Sequence, residues 1–209
     1  MRAVRALLGA VALLPAVVAF VGAPSAGAVP FRPCTIKGTP GNDVIHGTPS
    51  SDVICADQGG NDMIYGGGGG DWITTGNGND RIHAGGGNGV FIFSNGGDDR
   101  IWLGDGSSMF VGAGPGDDVV FGGAGDDNIA GDAGNDIIFG GPGNDGISGG
   151  AGRDRLYGGS GSEFCLYDRG EGVVDQVFGG PGNDHSNVGR LDLVRSASAT
   201  DCFPPAPPP

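Results

Sequence analysis

Gly125-Asp126-Asp127-Asn128-Ile129-Ala130-Gly131-Asp132-Ala133 is followed by Gly134-Asn135-Asp136-Ile137-Ile138-Phe139-Gly140-Gly141-Pro142, and then by Gly143-Asn144-Asp145-Gly146-Ile147. The phrase returns every nine residues, and a fixed period is to be sought before any helix or strand assignment. Followed in both directions, the acidic position falls at Asp43, Asp52, Asp62, Asp71, Asp80, Gly89, Asp99, Ser108, Asp118, Asp127, Asp136, Asp145, Asp154, Glu163, Asp175 and Asp184. The steps are nine residues, occasionally ten, with one of twelve after Glu163. Two residues after each comes an apolar residue, from Ile45, Ile54 and Ile64 through Phe91 and Phe110 to Cys165 and Val177; only Ser186 breaks that column. Two residues before each stands Gly, except at Ser50 and Val173.

The unit has a physical reading. Its glycine half makes a turn, because Gly tolerates positive φ. Its other half makes a short strand whose alternate residues face opposite sides, so the apolar residue points inward. One unit has a single core residue and cannot fold alone, whereas stacked units bury a continuous ladder. A string of Asn-Gly and Asp-Gly hairpins is the competing arrangement, but strands this short with one apolar residue each make a poor sheet. The period also answers the composition: 47 glycines with high net charge would otherwise argue for disorder.

Arg2 and Arg5 precede an apolar run from Ala6 to Val21, and small residues follow it, ending in Ala26-Gly27-Ala28. Residues 1–28 therefore read as a secretory signal, and the run, interrupted by Gly9 and Pro15, is short for a membrane span. Beyond it, nine basic residues face 24 acidic ones, a formal charge of −15. Such a chain repels nucleic acid and anionic membranes and attracts cations.

Residues 38–188 follow G-G-x-G-x-D-x-U-x, and some sixteen units in register resemble the hemolysin-type (RTX) calcium-binding repeat proteins. The resemblance implies an all-β fold, a right-handed parallel β-roll with two nonapeptides per turn. It also implies Ca²⁺ held between turns by aspartates of two units on the same side, together with carbonyls of the glycine-rich turns. Sorted by alternate units, one series is Asp43, Asp62, Asp80, Asp99, Asp118, Asp136, Asp154 and Asp175, unbroken and offering seven inter-turn sites. The other is Asp52, Asp71, Gly89, Ser108, Asp127, Asp145, Glu163 and Asp184; its pairs are Asp52/Asp71 and Asp127/Asp145, with Glu163 as an extension and no ion expected at Gly89 and Ser108.

Carboxylates one strand spacing apart, about 4.8 Å, repel by about 1 kcal/mol in water and by several at an effective dielectric near 20. A hard dication between them reverses the sign. Ca²⁺ accepts six to eight oxygens in flexible geometry, Mg²⁺ demands an octahedron, and zinc would call for Cys or His. The three histidines, His46, His83 and His185, are not clustered in sequence. Folding is therefore expected to be coupled to calcium.

Three residues after each acidic position, the first series carries His46, Tyr65, His83, Trp102, Phe121, Phe139, Tyr157 and Phe178, aromatic without exception. In-register stacking explains this. A flat face for a glycan, a cell-wall polymer, a protein or a second copy of the chain is the alternative, with Tyr65, Trp102, Phe121, Phe139, Tyr157 and Phe178 as its surface.

The four cysteines allow three connectivities, and local pairing, Cys34–Cys55 and Cys165–Cys202, is expected to tie the ends after export. Residues 29–37 read as an N-terminal cap and residues 189–209 as a C-terminal cap with a proline-rich tail. No H-E-x-x-H, G-x-S-x-G or G-x-x-x-x-G-K-[ST] occurs. The sequence thus points away from an enzyme and toward a secreted, extracellular calcium-binding scaffold, with an adhesion module as the alternative.

Overall fold

The structure, a computed structural model, describes residues 33–163, 166–167, 176–181, 186–187 and 193–195. The signal-like leader, Asp175, Asp184, Cys165, Cys202 and the proline-rich tail lie outside the described residues. Among those described there is no helix. The strands are β1 (Ile36–Lys37), β2 (Val44–His46), β3 (Val53–Ala56), β4 (Met63–Tyr65), β5 (Trp72–Thr75), β6 (Arg81–His83), β7 (Val90–Phe93), β8 (Arg100–Gly104) and β9 (Ser108–Pro115). They continue as β10 (Val119–Gly123), β11 (Asn128–Ala133), β12 (Ile137–Pro142), β13 (Gly146–Ala151), β14 (Arg155–Ser160), β15 (Leu166–Tyr167), β16 (Gln176–Phe178), β17 (Ser186–Asn187) and β18 (Leu193–Arg195).

Odd-numbered strands form one parallel sheet and even-numbered strands the other, each strand pairing with the next but one. Register pairs such as Ile45↔Ile64 and Ile129↔Ile147 join residues 19 or 18 apart. This is a parallel β-solenoid, as the repeat implied. The two sheets are named for their acidic series: the Asp52 sheet (odd strands) and the Asp43 sheet (even strands).

Most strands contribute one branched aliphatic residue to a narrow core, and β7 and β8 contribute two. Ile54, Ile64, Ile73, Ile82, Ile101, Ile138 and Leu156 are fully enclosed. Each neighbour along the strand faces out, so the burial pattern alternates, as in Val53–Ala56. The glycines close the turns. Gly104 has φ +100°, and a Cβ there would collide with the carbonyl oxygen of Gly85 one turn below. Gly86 has open space around it. We therefore expect Gly104→Ala to cost about 3 kcal/mol, at about 2–4 °C of Tm per kcal/mol, and Gly86→Ala to cost almost nothing; thermal melts of the calcium-loaded variants check the contrast.

The structure corrects the sequence count in the middle of the Asp52 sheet. Counting in nines puts Gly89 at the acidic position and Phe91 and Phe110 in the core. The strands instead put Val90, Ile92 and Val111 inside, with Ile73↔Ile92 and Ile92↔Val111 in register, and an irregularity after Val90 absorbs the extra residue. The physical reason is width. The slot admits Ile, Leu or Val, and the displaced Phe91 stacks outside on Trp72 at 5.0 Å. At the far end Ile147 pairs with Leu166, one residue past Cys165. Beyond residue 188, Val194 of β18 pairs with Val177.

The Cys34–Cys55 disulfide is present, joining the segment before β1 to β3. The second pairing involves residues outside the described set.

Candidate metal centre

Alternation that turns Ile64 inward also turns Asp62 inward, since the two are separated by one residue. The consequence is a file of buried carboxyls. Asp62, Asp71, Asp80, Asp99, Asp118, Asp127, Asp136, Asp145 and Asp154 are all 3 % exposed or less. Asp52 is 8 % exposed, Asp43 is half-buried at the N-terminal end, and Glu163 is enclosed.

From Asp62 and Asp71 onward, the aspartates are held by the turn below. In the Asp43 series the backbone N–H of Asp43 donates to Oδ1 of Asp62 (2.9 Å), Asp62 to Asp80 (2.7 Å) and Asp80 to Asp99 (2.7 Å). The pattern continues from Asp99 to Asp118 (2.7 Å), Asp118 to Asp136 (2.9 Å) and Asp136 to Asp154 (2.9 Å). In the Asp52 series Asp52 donates to Asp71 (2.8 Å), Ser108 to Asp127 (2.8 Å) and Asp127 to Asp145 (2.9 Å). The Asp52 ladder is interrupted at Val90, which carries no acceptor and stands where the count in nines put Gly89.

In eight of these carboxyls only one oxygen accepts a hydrogen bond. Oδ2 of Asp62, Asp71, Asp80, Asp99, Asp118, Asp127, Asp136 and Asp145 is buried with no hydrogen-bond partner. Orphaned buried acceptors are rare because each forfeits its hydration. Their surroundings are oxygen-rich. A methyl group added at Gly66 would meet Asp71 Oδ2 at 2.5 Å and also the Ala84 carbonyl. At Gly122 it would meet Asp127 Oδ2 at 2.8 Å and the Gly140 carbonyl, and at Gly131 the Gly149 carbonyl at 2.7 Å and Asp136 Oδ2. Each cradle that a Cβ would fill is bounded by an orphaned carboxylate oxygen and a carbonyl from the next turn.

Burial sets the charge state. It pushes the Asp99 and Asp136 carboxyls up to about 8, Asp118 to about 7 and Asp145 to about 6, against the pull of the N–H each accepts from below. Asp62, Asp71, Asp80 and Asp127 are raised for the same reason. Asp52 is lowered, because the Thr48 backbone N–H and hydroxyl both donate to it.

Among the described residues no point is surrounded by three or more His, Cys, Asp or Glu side chains. An ion here would draw two carboxylates at most and take its remaining oxygens from turn carbonyls and water. That donor set suits Ca²⁺, which accepts carbonyls and irregular geometry, and not zinc.

A second ladder escaped the sequence reading. Outside the acidic file, side chains one residue earlier accept from the turn above: Asn61 N–H to Asn42 Oδ1 (2.8 Å), Asn79 to Asn61 (2.8 Å), Asp98 to Asn79 (3.0 Å), Asp117 to Asp98 (3.0 Å) and Asn135 to Asp117 (2.8 Å). Its signal was the recurring Asn-Asp or Asp-Asp dipeptide. The two ladders run in opposite directions and clamp each turn from both sides.

The aromatic column is one continuous stack. From His46–Tyr65 (4.8 Å) through His83–Trp102 (4.4 Å) and Phe121–Phe139 (5.1 Å) to Tyr157–Phe178 (4.9 Å), neighbouring rings lie within 9° of parallel. Ring faces are therefore spent on one another, and edges point to solvent.

The family model described as RTX calcium-binding nonapeptide repeat (4 copies) matches residues 35–61, 58–91, 90–109, 112–147 and 144–174. No curated protein matches the chain at significant similarity. With the repeat, the parallel solenoid and most of the length in agreement, the chain belongs to the family of RTX calcium-binding nonapeptide repeats.

Proposed function

We propose that this is a secreted protein that binds several calcium ions between its stacked turns, folds when it does so, and serves as an extracellular scaffold. The observation that carries the reading is the file of buried carboxyls, in which Asp62, Asp71, Asp80, Asp99, Asp118, Asp127, Asp136 and Asp145 each anchor one oxygen to a backbone N–H and leave the other orphaned, beside a carbonyl at Asp71, Asp127 and Asp136. Calcium, when bound, supplies the positive charge that lets these groups remain ionised in a dry core. The side chains proposed to hold it are Asp43, Asp62, Asp80, Asp99, Asp118, Asp136, Asp154 and Asp175 on one edge, and Asp52, Asp71, Asp127 and Asp145 on the other. The domain organisation that goes with this is a leader at 1–28, caps at 29–37 and 189–209, and the repeat between them. The Cys34–Cys55 disulfide suits an oxidising compartment.

Calorimetric titration of the chelated protein, followed in parallel by far-UV circular dichroism, tests the proposal. Calcium should give heat of binding to several sites and a cooperative gain of β signal, half-complete at about 10⁻⁴–10⁻³ M as in extracellular modules. Magnesium at the same concentration should give neither. Equal responses to the two ions, or none to calcium, would sink it.

The alternative, an adhesion module that stacks sugars on the aromatic column, needs free ring faces. The stack leaves only those at its ends, so the column is assigned to stiffening the Asp43 sheet.

A further inference from the structure

Four residues after the acidic position, each unit places a small residue at the entrance to the cradle. At Gly66, Gly122, Gly131 and Gly140 it is glycine, and a Cβ there would meet the next Oδ2 and a carbonyl one turn on. In the middle of the solenoid it is not glycine. Thr75 follows Asp71, Ala84 follows Asp80, Ser94 follows Val90 and Leu103 follows Asp99, all 1 % exposed or less. The two apolar residues simply join the core. Two hydroxyls at the same depth need another reason, because a polar group is not buried without a partner.

Their partners are the atoms that bound a cradle. Thr75 Oγ1 donates to the Ser94 carbonyl at 2.8 Å, and Ser94 Oγ donates to the Ala113 carbonyl at 2.7 Å. These carbonyls are the counterparts of the Ala84 carbonyl above Gly66 and the Gly149 carbonyl above Gly131. Each hydroxyl also lies against the carboxyl that closes its own turn. Burial raises Asp80 and Asp99, and after the backbone N–H each accepts, the Thr75 and Ser94 hydroxyls pull them part of the way back. A third carbonyl is engaged as well. The Asn95 side-chain amide donates to the Thr75 carbonyl, from a backbone with φ +62° that residues other than glycine seldom adopt.

We propose that Thr75 and Ser94 take the place of calcium in two gaps of the Asp43 series, Asp80/Asp99 and Asp99/Asp118, so that a belt of turns in mid-solenoid holds together without an ion. Calcium needs six to eight oxygens, and in these gaps the turn carbonyls are already satisfied. A hydroxyl both donates and accepts, so one side chain serves the carbonyl as donor and a protonated carboxyl as acceptor. The other edge agrees. At the same level Val90 and Ser108 stand where the Asp52 series would carry carboxylates. The belt therefore separates two groups of ions, one in the turns before it and one in the turns after it. Ala56 and Ala113 hold the same position as Thr75 and Ser94 but have no hydrogen to give, and their gaps keep the need for an ion.

The inference rests on the calcium reading and narrows it, moving Asp99 from ion to hydroxyl. Native mass spectrometry of the full chain in calcium counts the ions bound, and circular dichroism reports folding separately. Ser94→Gly should bind one ion more than the parent, Thr75→Gly one more, and the double variant two more, since each change opens a cradle like that of Gly131. Thr75→Ser keeps the hydroxyl and should bind the parent's number, and Gly131→Ser should bind one fewer. An unchanged count in both glycine variants overturns the proposal. A lower count does so too, because the hydroxyls would then be ligands of the ion. Should a glycine variant fail to fold in calcium, the serine variants decide: a raised count in Thr75→Ser, or an unchanged one in Gly131→Ser, overturns it. A parent chain that binds no calcium strikes the proposed function instead, and shows this before any variant is compared.

Discussion

Stripped of divalent ions at about pH 8, the protein should lose its β structure, and moving the same metal-free sample to about pH 5 should restore it. The direction follows from the carboxyls. In the unfolded chain they titrate near 3.8, whereas in the fold Asp99 and Asp136 titrate at about 8, Asp118 at about 7 and Asp145 at about 6. The folded state therefore holds more protons between those values. A group of this kind gives its full stability below the unfolded value and loses it as pH rises through the folded one. A carboxyl raised to about 8 forfeits roughly 3–4 kcal/mol between about pH 5 and pH 8. Two such groups consume much of the 5–15 kcal/mol that a domain usually possesses.

With calcium present the slope reverses. Binding needs ionised carboxylates, so the apparent affinity for calcium should fall as pH drops from about 8 to about 5. Circular dichroism on a grid of pH and calcium activity separates the two regimes. The expected result is folded protein along two sides of the grid, acid without calcium and alkaline with it, and unfolded protein at the alkaline, metal-free corner. A metal-free sample with the same β signal at both pH values would show that the buried file is no burden, and the need for an ion would vanish.

How far the sequence reached is visible in particular residues. The period alone placed Ile64, Ile82 and Ile138 inside, because one inward residue per short strand leaves no other choice. It located the unbroken Asp43 series and the break in the Asp52 series. It failed where spacing and packing disagree: around Gly89 the run Val90-Phe91-Ile92-Phe93 satisfies alternation in either register, and only the width of the slot selects Val90 and Ile92. Depth was not legible either. The count set the aspartates in a column but did not show that Asp118 and Asp136 are fully enclosed, that one oxygen accepts an N–H from the turn below, or that the other is orphaned. Those properties arise only when two turns meet. The aromatic column was legible as a pattern, yet its meaning depended on ring orientation, which no spacing encodes.

Asp118→Asn should change stability in opposite directions with and without calcium. The amide keeps Oδ1, and so keeps the acceptor for the Asp99 N–H at 2.7 Å. It removes the charge. In metal-free protein at about pH 8 that relieves a group whose ionisation in place costs on the order of 4 kcal/mol. It also relieves Asp99 and Asp136, both pushed upward in part by the charge on Asp118. The metal-free variant should therefore hold more β structure than the parent at that pH. In calcium the same change weakens the two inter-turn gaps that Asp118 borders, toward Asp99 and toward Asp136, so the number of ions bound should fall and the loaded fold should melt earlier. Asp118→Ala provides the contrast, since it also leaves the Asp99 N–H without its acceptor, at a cost of about 1–3 kcal/mol in both conditions. Equilibrium urea unfolding of the three proteins, with calcium and with chelator, reads the result as two lines that cross for Asn and are shifted further down for Ala. If Asp118→Asn were equally destabilising in both buffers, the side chain would be acting as a neutral packing element, and the coupling of charge, burial and ion in this solenoid would have to be abandoned.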